Sequence, residues 1–207
     1  MSRVRSVRSG AESRPLPPEK AWNYALTLLT RRAHTEAELT EKLTRRRASP
    51  EVVAEVLGRL RRYRLVDDEA FAEAFVRTHA QRKGTLALRR ELLRKGVPEE
   101  VAEESLVELD DAAQSATAAK LLERNAWRFR GSDPRRNRAR AFAFLARRGF
   151  PSTVVMEALE GCEWLTSGGD DDAEGDDGGD DDAGGDDRGD DDSSDDDAEG
   201  DDDAGGG

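Results

Sequence analysis

The chain has 207 residues, is 38% charged and only 5% aromatic, and carries a formal net charge of −12, an average that conceals two opposed parts. Residues 166–207 hold 19 Asp, two Glu and one cation, Arg188, for a charge of −20, which leaves +8 on residues 1–165. One cysteine, Cys162, excludes an internal disulfide, and no run of about twenty apolar residues exists to make a membrane helix.

In chain order, residues 1–18 bring Arg3, Arg5, Arg8 and Arg14 and close on Pro15-Leu16-Pro17-Pro18. They hold too few apolar side chains for a signal peptide and read as a basic disordered tail of a cytoplasmic protein. From Glu19 to about Glu160 the apolar residues recur at intervals of three and four, and no segment shows strand alternation, so only helices are predicted. Trp22, Leu26 and Leu29 form the first stripe. Leu39 and Leu43 form the second, opened by Thr35-Glu36-Ala37-Glu38 at capping-box spacing. Ser49-Pro50 supplies an N-cap and an N1 proline for the helix of Val52, Val53, Val56, Leu57 and Leu60. Asp67-Asp68 opens the helix of Phe71 and Phe75; Thr85 after Gly84 precedes Leu88 and Leu92, and Gly96 ends that helix. Pro98-Glu99-Glu100 starts a sixth helix with Val101, Ser105, Leu106 and Leu109. An Ala-rich seventh runs from about Asp111 to Trp127, Gly131-Ser132-Asp133-Pro134 introduces one with Phe142 and Leu145, and Pro151 opens a last one with Val154, Val155 and Leu159.

Three copies of one pattern emerge when Leu43, Leu92 and Leu145 are superposed. Leu57, Leu106 and Leu159 then coincide, as do Ser49, Pro98 and Pro151, and Val52, Val101 and Val154, at periods of 49 and 53 residues. Three helices fit each period. The expected architecture is all-α, an elongated, curved stack of three three-helix repeats at residues 19–66, 67–109 and 110–165. Beyond it, the Asp/Gly-rich segment 166–207 has no large apolar side chain to offset the entropy of ordering and is expected to be disordered. Its charge serves solubility and spacing, or it folds back on the basic part of the chain and competes there with DNA or a protein partner as a salt-sensitive brake.

Several blocks in this frame resemble the RecX family. They are Leu29-Thr30-Arg31-Arg32-Ala33-His34-Thr35 with Glu38-Leu39 and Lys42-Leu43, and Leu65-Val66-Asp67-Asp68 with Phe71-Ala72. Gly84 with Leu88, Glu91-Leu92 and Lys95-Gly96-Val97 follow, and then Arg147-Arg148-Gly149-Phe150. The resemblance spans about residues 20–161. It implies a non-enzymatic modulator that lies in the groove of the RecA–DNA filament and limits strand exchange, ATP hydrolysis and co-protease function. Asp67, Asp68, Phe71, Gly84, Gly96, Gly149 and Phe150 are then structural motif residues. Two features depart from the family pattern: the long acidic tail, and Arg47, which stands where the other repeats have Gly96 and Gly149. The first repeat is therefore expected to end its middle helix without a left-handed cap.

The residues also suggest where partners bind. Arg46, Lys95 and Arg148 hold equivalent places in the three copies and are expected to recur along one face, although a cation in a last helical turn is favourable by about 0.3–1 kcal/mol without any partner. Arg31, Arg32, Arg61, Arg62, Arg89, Arg90, Arg94 and Arg147 add to an arginine excess that suits phosphate contact. No aromatic residue alternates with these arginines as strand-stacking sites require, so RecA and the DNA phosphate backbone are favoured over base contacts. Asp67-Asp68 is explained as N-cap and first-turn acids rather than a catalytic pair. Phe71, Phe75, Phe142 and Phe150 read as core contacts at helical spacing. His34 and His79 lack a metal pattern, Cys162 lacks a catalytic constellation, and no Walker-type glycine loop occurs, so no enzyme activity, metal or cofactor is expected. A general DNA-binding helical protein and a helical-repeat scaffold are the alternatives, and a monomer is expected.

Overall fold

Asp and Ser/Thr side chains set most of the helix starts in the computed structural model, which describes residues 15–165. Thr35 accepts from the Glu38 amide (3.1 Å), Ser49 from Val52 (3.4 Å), Asp67 from Ala70 (3.0 Å) and Asp110 from Ala113 (2.7 Å). Each bond satisfies one amide that a helix start leaves without an internal partner. Nine α-helices and two 3-10 turns result among the described residues, with no strand. They are α1 (Pro18–Arg31), α2 (Glu36–Arg45), α3 (Pro50–Arg62), α4 (Asp68–His79), α5 (Thr85–Arg94), α6 (Glu99–Glu104), α7 (Asp111–Arg124), α8 (Pro134–Arg147) and α9 (Ser152–Glu160), with the 3-10 turns at Ala126–Phe129 and Glu163–Leu165. The acidic segment and residues 1–14 lie outside the described residues.

Three separate cores divide the helices by threes. Leu39, Leu43, Val56 and Leu60 centre the first, Ala72, Leu88, Leu92 and Ala102 the second, and Leu122, Leu145, Val154 and Val155 the third. In every module the third helix packs against both others. The aligned leucines Leu43, Leu92 and Leu145 are all completely buried, each worth roughly 1.5–3 kcal/mol of transfer free energy.

Four details differ from the sequence expectation. The sixth helix stops at Glu104 instead of reaching Leu109: the Ser105 hydroxyl donates to the Ala102 carbonyl (2.8 Å), and i→i+3 bonds take over from Leu106. The seventh stops at Arg124, where the Asn125 side-chain amide donates to the Leu121 carbonyl (2.7 Å) and the chain tightens into the 3-10 turn that carries Trp127. The expected tail joins the fold at its end, since Pro18 begins α1 and Leu16 packs on the first core.

The fourth correction concerns Arg47. It adopts φ 63°, so the first middle helix has the same left-handed cap as the other two, at Gly96 and Gly149, each with φ 79°. The bond that closes each cap is also the same, from Ala48 to the Leu43 carbonyl (3.1 Å), Val97 to Leu92 (3.0 Å) and Phe150 to Leu145 (3.3 Å). Burial of Ala48, Val97 and Phe150 just after the cap holds the chain to this path, and Arg47 accepts the strain that glycine avoids.

Candidate functional site

Two seams join the modules and are built from equivalent parts. At the first, the C-terminus of α5 meets the N-terminus of α2, and the Thr35 hydroxyl donates to the Lys95 carbonyl (2.6 Å). At the second, the C-terminus of α8 meets the N-terminus of α5, and the Gly84 amide donates to the Arg148 carbonyl (2.9 Å). The next amide along each N-terminus is taken by the following module: Glu36 donates to Asp68 Oδ1 (3.0 Å) and Thr85 to Gln114 Oε1 (3.1 Å). Helix C-termini thus face helix N-termini, a favourable meeting of opposite dipole ends. The approach is close enough to require glycine. A Cβ on Gly96 would fall 2.1 Å from the Ala37 methyl, and one on Gly149 2.4 Å from that of Ala87. A Cβ on Gly84 would reach Phe150 Cα at 2.4 Å.

Both ends of this series are closed. Leu16 donates to the Arg47 carbonyl (3.2 Å), the place where Leu86 donates to the Gly149 carbonyl (3.0 Å) in the second seam. At the other end, the position equivalent to Thr35 and Gly84 is Asn137, which is buried inside α8 because that helix starts at Pro134. Its side chain donates to the Gly131 carbonyl (2.8 Å).

The seams differ in charge. Glu38 at the first receives both Lys95 (3.3 Å) and Arg32 (3.1 Å), while Glu36 holds Arg61 through two bonds of 2.5 and 2.9 Å. Burial pushes the Asp68 carboxyl above its usual range, against the lowering effect of the Glu36 amide. Burial and the neighbouring Arg32 charge hold the His34 imidazole below its usual value, and its Nδ1 lies 3.0 Å from the Arg32 carbonyl. Asp67 is the cap and Asp68 the seam residue, so the pair has two separate structural tasks.

Arg46, Lys95 and Arg148 are directed onto aromatic rings of their own modules. Arg46 lies 4.2 Å from the Tyr24 centroid, Lys95 about 6 Å from Phe71 and Phe75, and Arg148 3.8 Å from Phe144. One residue earlier, Arg45, Arg94 and Arg147 end the three middle helices, and all are exposed. Arg45 pairs with Glu41 in the preceding turn (2.6 Å), a solvated contact of small energy. Among the other candidates, Arg61 is held by Glu36 and Arg89 by Glu99 and Glu103; Arg90 donates to the Leu86 carbonyl (3.2 Å). Arg31 and Arg62 are exposed. Phe150 is buried, and Phe71, Phe75 and Phe142 are half-buried against their cores.

The expectation that aromatic residues stand apart from the arginines does not hold. Tyr63, 61% exposed, sits in Arg59-Leu60-Arg61-Arg62-Tyr63-Arg64, and Trp127, 75% exposed, lies between Arg124 and Arg128-Phe129-Arg130. Helical periodicity assigns aromatics to cores. These two fall at helix C-terminal ends, where the chain turns and periodicity no longer says which way a side chain faces.

Among the described residues no helix is long and apolar enough to cross a membrane, and no group of three His, Cys, Asp or Glu gathers as metal ligands. Cys162 is buried and its thiol pushed up by that burial.

The fold and these surfaces define a tandem three-helix repeat protein whose recurring exposed groups are cations at helix ends. Its modules match, in order, the first three-helix domain of RecX over residues 21–60, the second over 67–106 and the third over 113–159. A regulatory protein RecX from Mycobacterium sp. (strain JLS) is 42% identical over 155 residues, covering 72% of this chain and 84% of the relative. One from Thermus thermophilus is 44% identical over 139 residues, 67% of this chain and 89% of the relative. The crystal structure of RecX from Lactobacillus salivarius shares the fold, with a TM-score of 0.66 at 24% identity over 71% of this chain and 97% of that one. This chain belongs to the RecX family.

Proposed function

We propose that this chain is a regulatory protein that binds the RecA–DNA filament and restrains recombination, ATP hydrolysis and co-protease activity. The observation that carries the reading is the ordered match of all three modules to RecX domains, backed by relatives named regulatory protein RecX that share about two fifths of their residues with it. The repeating exposed cations Arg45, Arg94 and Arg147, with Arg62, supply charge for an acidic groove or a phosphate backbone. The closed ends of the seam series favour a monomer, and action on RecA places the protein in the cytoplasm.

The test is the DNA-dependent ATPase rate of the cognate RecA on single-stranded DNA, with the full-length chain titrated in at fixed salt. Inhibition at substoichiometric to equimolar amounts, and none of an unrelated DNA-dependent ATPase, is expected. Equal inhibition of both enzymes would leave a general DNA-binding protein, and no inhibition would leave a scaffold.

A further inference from the structure

Tyr63 and Trp127 are large aromatic side chains that the fold holds outward rather than uses. Tyr63 caps the C-terminus of α3, between the fully buried Leu60 and Arg64, which takes the left-handed φ of 53°. Its ring lies 6.0 Å from that of Trp22 at an interplanar angle of 56°, and the Arg59 guanidinium covers Trp22 at 4.1 Å. Trp127 stands in a turn pinned on both sides. Asn125 is tied to the Leu121 carbonyl at 2.7 Å, and Phe129 is buried edge-on against Phe144 with centroids 5.3 Å apart. The Arg128 guanidinium lies 5.8 Å from the Trp127 ring.

The surroundings of the two rings select the ligand. Four arginines occur in the six residues 59–64, and three in the seven residues 124–130, with no acidic residue in either stretch. Protein hot spots are also enriched in Trp, Tyr and Arg, but they cluster in well-packed, desolvated pockets near the centre of an interface. Here each ring is instead largely exposed, within a stretch of chain rich in arginines, whose guanidinium groups pair with phosphates and stack on flat π-systems. The ligand that offers phosphates and open π-faces at short, regular spacing is an unpaired nucleic-acid strand; a duplex keeps its base faces covered.

We infer that Tyr63 and Trp127 are stacking platforms for the bases of a single strand, with Arg59, Arg62, Arg128 and Arg130 on its phosphates. The inference does not depend on a RecA partner and extends the phosphate-only contact expected from the arginines. It requires binding without RecA, a preference for unpaired strands, and a loss on removing either ring that a simple polyanion does not reproduce.

The experiment is fluorescence anisotropy of the full chain with labelled oligothymidylate, a duplex of equal length and inorganic polyphosphate, at near-physiological salt. Tyr63→Ala and Trp127→Ala should each weaken oligothymidylate binding roughly five- to a hundredfold while leaving polyphosphate binding unchanged, and Tyr63→Phe and Trp127→Phe should restore it to within about twofold. Circular dichroism of each variant separates lost contact from lost fold. Alanine variants that bind oligothymidylate like the parent, lose both polymers equally, or prefer the duplex would overturn the inference. So would loss of RecA inhibition with strand binding intact, which would make the rings protein contacts. Failure of RecA inhibition in the parent chain, with ring-dependent strand binding retained, would count against the proposed function alone.

Discussion

The Thr35 hydroxyl accepts the Glu38 amide of its own helix at 3.1 Å and donates to the Lys95 carbonyl at 2.6 Å, 60 residues along the chain. One buried oxygen thereby caps α2 and fastens the second module to the first. Thr35→Val keeps the shape and loses both bonds, so a loss of about 2 kcal/mol in urea unfolding is expected, with Thr35→Ser close to the parent. A Val variant within about 0.5 kcal/mol of the parent would show that the cap carries no weight in the seam.

The three middle-helix caps should respond in opposite directions to substitution. Gly149→Ala adds a methyl in a left-handed conformation 2.4 Å from Ala87, and should destabilise by more than about 2 kcal/mol. Arg47→Gly relieves the same conformation at a site where no module stacks, and should stabilise by up to about 1 kcal/mol after the entropy cost of glycine. Thermal melts of the two variants decide it. A gain from Gly149→Ala would contradict the seam geometry.

Two groups give stability a pH dependence of opposite sign. Asp68 has a raised folded pKa, so the native state holds its proton more tightly than the unfolded chain does. That contribution is present below the unfolded value of about 3.9 and is lost as pH rises through the folded value, leaving a charge that burial opposes at neutral pH. Asp68→Asn retains an oxygen for the Glu36 amide, as Gln114 does for Thr85, and should match or exceed the parent at pH 7; Asp68→Ala should lose about 1–3 kcal/mol. His34 has a depressed pKa, so its contribution is present above about pH 6.5 and is lost as pH falls through the folded value. His34→Gln should flatten the stability profile between about pH 5 and 7. An unchanged slope there would remove His34 as its source.

Charge reversal separates the two sets of repeated cations. Arg94→Glu with Arg147→Glu should weaken RecA inhibition by tenfold or more and reduce its salt dependence with little change in melting temperature, because both side chains are exposed. Lys95→Glu should instead lower stability, since Lys95 touches Glu38, Phe71 and Phe75 across and beneath the first seam. If the Arg94 and Arg147 pair inhibits like the parent, the recurring helix-end cations are not the contact.

Periodicity and caps were enough to read nine helices and the leucines that bury in each module, because these depend on residues within about four positions of one another, and the grouping by threes followed from the repeat of that pattern at 49 and 53 residues. The family was also legible, since its motifs sit at the same helix ends. What a side chain meets across a seam was not. Glu36, Glu38 and Gln114 look like ordinary polar helix residues, and only the apposition of α2 with α5, and of α5 with α8, makes them acceptors and ion partners. Packing within each module decided that Arg46, Lys95 and Arg148 lie on aromatic rings while Arg45, Arg94 and Arg147 end their helices exposed. A shift of one residue turns a helical side chain by about 100°, and which side then faces a neighbour is fixed by packing between helices, within a module or across a seam, which local pattern does not contain.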